Sequence, residues 1–65
     1  MDAKKIGKRL VECRGKKTQE EVARANNISV SALSMYEQGN RIPRDEVKIK
    51  LAQYYDKSLE QLFFT

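Results

Sequence analysis

From Ala25 to Tyr36 the chain reads ANNISVSALSMY, without one charged side chain, in a sequence that is 34% charged. Ser29, Ser31 and Ser34 offer hydroxyls, which donate and accept in turn, while Val30 and Met35 offer only apolar contact. On either side stand groups suited to anions: Lys16, Lys17, Thr18 and Gln19 before the run, and Gln38, Asn40, Arg41 and Arg44 after it. Bond-making chemistry has little to work with. One Cys and no His exclude a disulfide framework, a zinc site of the usual kind and a histidine-based mechanism. Glu20 and Glu21 have no neighbouring nucleophile, and no glycine-rich loop could cradle a phosphate. The expected activity is therefore binding rather than catalysis, with no metal, cofactor or small-molecule ligand. The net charge of +4 suits an anionic partner, nucleic acid among them, although the same excess also keeps a small domain dissolved.

Those residues must be positioned by 65 residues, enough for one domain over 1–65 that buries only ~60% of the surface its unfolded chain exposes. No apolar run approaches a membrane span and the N-terminus lacks a signal-peptide core, so a cytoplasmic location is expected. Cys13, at an apolar position, fits a reducing compartment as a small core residue. Asp2 can cap a first helix whose Ile6, Leu10 and Cys13 share a face, and Gly15 stops it. Thr18 and Glu21 have capping-box spacing at the start of a second helix carrying Val22, Ala23 and Ala25. Asn27 can supply a left-handed corner. Ser29 caps a third helix, Ile28 and Leu33 can staple its entry, and Gly39 closes it. Pro43 introduces a fourth helix with Asp45 and Glu46 in its first turn and Val47, Leu51, Tyr54 and Tyr55 near one face. Ser58 caps a last short helix with Leu59, Leu62 and Phe63 turned inward. The pattern predicts an all-α protein of five short helices.

Two short helices joined by a tight corner, TQEEVARANNISVSALSMYEQG, have the sequence form of a helix-turn-helix. Together with IGKRLVECR, GNRIP, LAQYY and SLEQLF, in that order, the chain resembles the Cro/CI-type (XRE) helix-turn-helix family of phage and bacterial repressors. The resemblance implies a lambda-repressor-like DNA-binding domain with the second and third helices as its helix-turn-helix. It implies base contacts from Ser29, Val30, Ser31, Ser34 and Met35. It further implies backbone contacts from Gln19 and from Gln38, Asn40, Arg41 and Arg44, with Thr18, Lys16 and Lys17 beside them. Arg14 and Glu37 are implied as a structural ion pair. The implied function is a transcriptional regulator, most simply a repressor; an antitoxin-like interaction module on the same fold is the alternative.

Some features depart from that pattern. The turn RGKKTQ is two residues short of the commonest form. Asn26 and Lys48 occupy positions that are usually apolar, so Asn26 needs helix-end carbonyls and Val47 is expected to take over from Lys48. Before Gln38 the third helix has no Arg, Lys, Asn or Gln, the residues that pair bidentately with guanine or adenine. Thymine-containing steps and DNA shape are therefore expected to carry specificity. Phe63 and Phe64 diverge by ~100° on a helix, so only Phe63 can face inward. An exposed Phe64 points to a homodimer interface, and a homodimer to a two-fold symmetric operator in double-stranded DNA.

Overall fold

The computed structural model describes residues 1–64. They form α1 (Ala3–Arg14), α2 (Gln19–Ala25), α3 (Val30–Glu37), α4 (Asp45–Tyr55) and α5 (Leu59–Phe63), with no strand among the described residues. This is the all-α architecture expected from the sequence.

Local chemistry sets the boundaries. Asp2 Oδ1 accepts from the Lys4 and Lys5 amides at 3.0 and 3.2 Å, and Gly15 ends α1 at φ 57°. Ser29 Oγ accepts from the Ala32 amide at 3.0 Å to start α3. Between α2 and α3, Asn27 takes φ 55°, and the Ile28 amide reaches back to Ala23 O at 3.0 Å. Ile28 thus packs against the core to which Leu33 belongs. Asp56, at φ 56°, ends α4 as Asn27 ends the corner, since short polar side chains tolerate the left-handed region.

Helix α1 packs on α3 and α5, α2 on α3, and α4 on α5. Ile6, Leu10, Val22, Ala23, Leu33, Tyr36, Leu51, Ala52, Leu62 and Phe63 form the buried cluster they enclose. Gly7 is buried where α1 crosses α3: a Cβ there would lie 2.5 Å from Glu37 O and 2.9 Å from Tyr36 O. The backbones meet this closely only because position 7 has no side chain. Asn26 is buried at 4% exposure, and its Nδ2 donates to Val22 O at 2.8 Å, the helix-end carbonyl its burial required.

Several expectations are corrected. Lys48, not Val47, is the buried one of the pair; its stem covers the core while its ammonium reaches Asp45 Oδ1 at 3.5 Å and the Phe64 ring at 5.4 Å. Leu59 is exposed, because the first turn of α5 reaches the flank of α4 beside Ile49 rather than the core. The capping box at Thr18 is half formed. Thr18 Oγ1 accepts from the Glu21 amide at 3.1 Å, but the Glu21 carboxylate accepts from the Thr18 hydroxyl at 3.4 Å instead of from the cap amide. The reciprocal box is at α5, where Gln61 N donates to Ser58 Oγ at 3.0 Å and Ser58 N to Gln61 Oε1 at 2.9 Å.

Candidate nucleic-acid interface

Helix α3 turns Leu33, Tyr36 and Glu37 inward, and that rotation places the expected base-reading residues on its other side. Ser29, Val30, Ser31 and Met35 are exposed and Ser34 is half-buried. Val30 and Met35, at 40% and 39% exposure, are the large apolar groups of this face, free of the core and available for contact.

The inward edge of α3 ends at Glu37, whose side chain is 4% exposed. Arg14 grips its carboxylate with two bonds, Nε to Oε2 at 2.8 Å and Nη2 to Oε1 at 3.1 Å. This is the ion pair that the family resemblance implied, joining α1 to α3. The Glu37 bond pushes the Arg14 guanidinium still further above its already high ordinary pKa, so the guanidinium stays charged at any working pH. Two contacts were not anticipated. Arg14 Nη1 donates to Lys17 O at 2.8 Å, fixing the short turn before α2. Gln19 Nε2 donates to Glu37 Oε1 at 2.8 Å, so the first residue of α2 is tied to the last of α3. One of its two amide protons is thereby engaged, leaving the other for an outside acceptor.

The residues flanking α3 divide into bound and unbound. Lys17 lies with its ammonium 5.8 Å from the centroid of the Tyr54 ring, a cation–π contact that draws it toward α4. Lys16, Arg41 and Arg44 are exposed and form no salt bridge among the described residues. Arg44 also precedes α4 as a cap without a side-chain bond, leaving its guanidinium unengaged there. Thr18 caps α2. Asn40 and Gln38 are linked to each other and to Ser34: Asn40 Nδ2 donates to Gln38 Oε1 at 3.1 Å, and Gln38 Nε2 to Ser34 Oγ at 3.0 Å. Spacing alone gave no sign of this chain, beyond the i, i+4 relation of Ser34 and Gln38.

The profile of the helix-turn-helix family matches residues 3–62. The chain belongs to the Cro/CI-type (XRE) helix-turn-helix family. No curated protein and no solved structure gives a match. Members of this family are DNA-binding transcriptional regulators, and the match covers all five helices up to Leu62. Other features of this helix-turn-helix protein are structural. The Cys13 thiol is half-buried against the core, and burial raises its pKa, which makes it a poor nucleophile. No group of three or more acidic, Cys or His side chains could hold a metal among the described residues, and no helix there is long and apolar enough to cross a membrane.

Proposed function

We propose that this helix-turn-helix protein is a sequence-specific repressor that lays α3 in the major groove of double-stranded DNA. The observation that carries the proposal is the composition of one surface. An uncharged face, exposed at Val30, Ser31 and Met35 and half-buried at Ser34, is bordered by cations that form no salt bridge among the described residues, Lys16, Arg41 and Arg44. Phosphates take charged and amide donors, and base edges take small hydroxyl and apolar groups. In this scheme Ser29, Val30, Ser31, Ser34 and Met35 meet bases. Lys16, Lys17, Thr18, Gln19, Gln38, Asn40, Arg41 and Arg44 meet the backbone. The protein acts in the cytoplasm as a homodimer on a two-fold symmetric operator.

Salt dependence tests the electrostatic half of the proposal. Each phosphate neutralised contributes about −0.9 to the slope of log K against log salt, so Lys16, Lys17, Arg41 and Arg44 together contribute roughly −3.6 per protomer. Replacing Arg41 and Arg44 by Gln should flatten the slope by about 1.8 per protomer and weaken all sequences alike. A slope near zero in the parent protein, or one unchanged in the variant, would remove the DNA-binding role of these residues.

A second reading has its own observation. Ile49, Leu59 and Phe64 are exposed at 47%, 39% and 57% and line one groove between α4 and α5 with Asp45 and Lys48. Phe64 also borders a second groove with Met1, Asp2 and Lys5. Under the repressor reading this apolar surface is the dimer contact. Under the alternative it receives a different protein, as in an antitoxin-like module, and a dimer-free complex with such a partner would favour that reading.

A further inference from the structure

Asn40 Nδ2 donates to Gln38 Oε1 at 3.1 Å, which makes the carbonyl end of the Gln38 amide the acceptor and turns its NH2 end toward Ser34 Oγ, 3.0 Å away. The backbone holds both ends of this chain. The Asn40 amide donates to Met35 O at 3.0 Å and the Gln38 amide to Ser34 O at 2.9 Å. A serine hydroxyl has one proton and two lone pairs. With Oγ accepting from Gln38, the proton of Ser34 is the group left without a partner among the described residues. Ser34 is half-buried at the flank of α3, one turn after the exposed Val30. Ser29 is constrained in the same sense, since its Oγ accepts from the Ala32 amide. Neither constraint applies to Ser31.

We infer that Ser34 is a specificity-determining residue that donates to a base edge bearing an acceptor, and that Gln38 and Asn40 are the positioning residues that fix its direction. The inference rests on the DNA-binding reading above and narrows it. In the major groove thymine O4, guanine O6 and N7, and adenine N7 accept, whereas cytosine presents only its N4 amino donor. A donor set against a donor leaves both unpaired in a desolvated contact, and that loss is larger than the gain from a matched pair. The hydroxyl, which by itself would tolerate either kind of edge, is thereby made selective. Ser34 favours a base with an acceptor at its edge, thymine, guanine or adenine through N7, and opposes cytosine. With apolar Val30 on the same face to meet a methyl group, thymine fits best.

The test uses the full chain in a randomised-duplex selection, followed by affinities for the selected site and its single-base variants, compared as ratios within each protein. Wild type should prefer thymine, guanine or adenine over cytosine at one position per half-site by roughly two- to tenfold, the worth of one neutral hydrogen bond. Ser34→Ala should flatten that position and no other. Gln38→Glu presents a carboxylate that accepts from Ser34, turns the hydroxyl round, and should move the preference at that position toward cytosine. The move should vanish in the double variant, which separates Ser34 from any base contact of the new carboxylate. If Ser34→Ala leaves every position unchanged, or if the preference it removes is for cytosine, the inference is overturned. A preference unmoved by Gln38→Glu removes the positioning role of Gln38. A protein that selects no sequence at all fails at the earlier reading, a result distinct from a selected motif indifferent to Ser34.

Discussion

Replacing Gly7 by alanine should destabilise the protein, against the sign that helix propensity gives. Gly7 lies within α1, where alanine is ordinarily better by about 0.5–1 kcal/mol. The opposing effect comes from α3. A Cβ at position 7 would sit 2.5 Å from Glu37 O, 2.9 Å from Tyr36 O and 3.0 Å from the Glu37 carbonyl carbon. All three are backbone atoms, so no side chain can rotate away. Ordinary close C···O contacts are about 3.3 Å, and relief therefore requires α1 and α3 to part by roughly 0.8 Å. That movement loosens Ile6 and Leu10 against Leu33 and Tyr36, all in the buried cluster, and strains the Arg14–Glu37 bridge next to it. Overpacking of this kind costs about 1–3 kcal/mol, toward the upper end where the obstructing atoms are backbone, which leaves a net loss of about 1–2 kcal/mol after the propensity gain. In a domain of this size, that corresponds to a fall in Tm of roughly 5–15 °C. Thermal and urea melts followed by circular dichroism measure it, with Lys8→Ala, at an exposed position of the same helix, as the control expected within about 0.5 kcal/mol of wild type. If Gly7→Ala melts at or above wild type, the close approach of the two helices is refuted.

Three further outcomes are expected. Arg14→Met keeps the aliphatic stem but leaves Glu37 buried with only Gln19 as a side-chain donor. Because Arg14 itself retains 21% exposure, the loss should be about 2–3 kcal/mol, below the 3–5 kcal/mol of a fully buried pair, and should appear as a lower urea midpoint at unchanged slope. No change in midpoint would mean that the bridge contributes nothing. Tyr55 has a buried hydroxyl with no hydrogen-bond partner, and burial, with the Glu37 charge second, holds its pKa well above the ordinary value. A raised folded-state pKa gives stability that is complete below about pH 10 and is lost as pH rises from there toward the folded value. Tyr55→Phe should therefore lose less stability than wild type above about pH 10, and parallel alkaline limbs in the two proteins would contradict this. Phe64→Ala should shift a micromolar dimer to monomer in sedimentation; two unchanged monomers would remove the proposed interface.

Much of the fold was legible in the sequence because helix ends are written in short-range chemistry. Asp2, Ser29 and Ser58 cap through their own side chains, and Gly15, Asn27 and Gly39 take the positive φ that their positions suggested. Contacts set by tertiary packing were harder to read. Helical periodicity put Leu59 inside, but a helix as short as α5 has too little length to bury its first turn. Lys48 defeated the pattern because its charge and its stem obey different rules: the stem packs and the ammonium finds Asp45 and Phe64. For the site, the exposed face of α3 followed from placing Leu33 inward. The Gln19–Glu37 bond and the Asn40–Gln38–Ser34 chain did not, since donors and acceptors of one type can pair in many ways until the backbone brings particular ones within 3 Å. Gly7 did carry a signal, a lone glycine inside an amphipathic helix, which usually has a packing reason.

Glu37 makes structure and recognition hard to separate in this protein. Its carboxylate receives Arg14 from α1 and Gln19 from α2 while it ends α3, so one buried charge fixes the three helices that carry the proposed DNA contacts. A carboxylate on the helix that faces a polyanion would be unfavourable if it were exposed. Here it is 4% exposed and matched by a bidentate guanidinium, so its field toward the surface is largely cancelled. The outer face of α3 can then remain uncharged, as the run from Ala25 to Tyr36 is, because the electrostatic work is divided between a neutralised pair beneath it and free cations beside it. Under the proposed function the same division explains how α3 could read bases without arginine or lysine. In the proposed function affinity comes from Lys16, Arg41 and Arg44, and the residues between them are left to small groups whose hydrogen-bond direction, as inferred for Ser34, is set from within the domain.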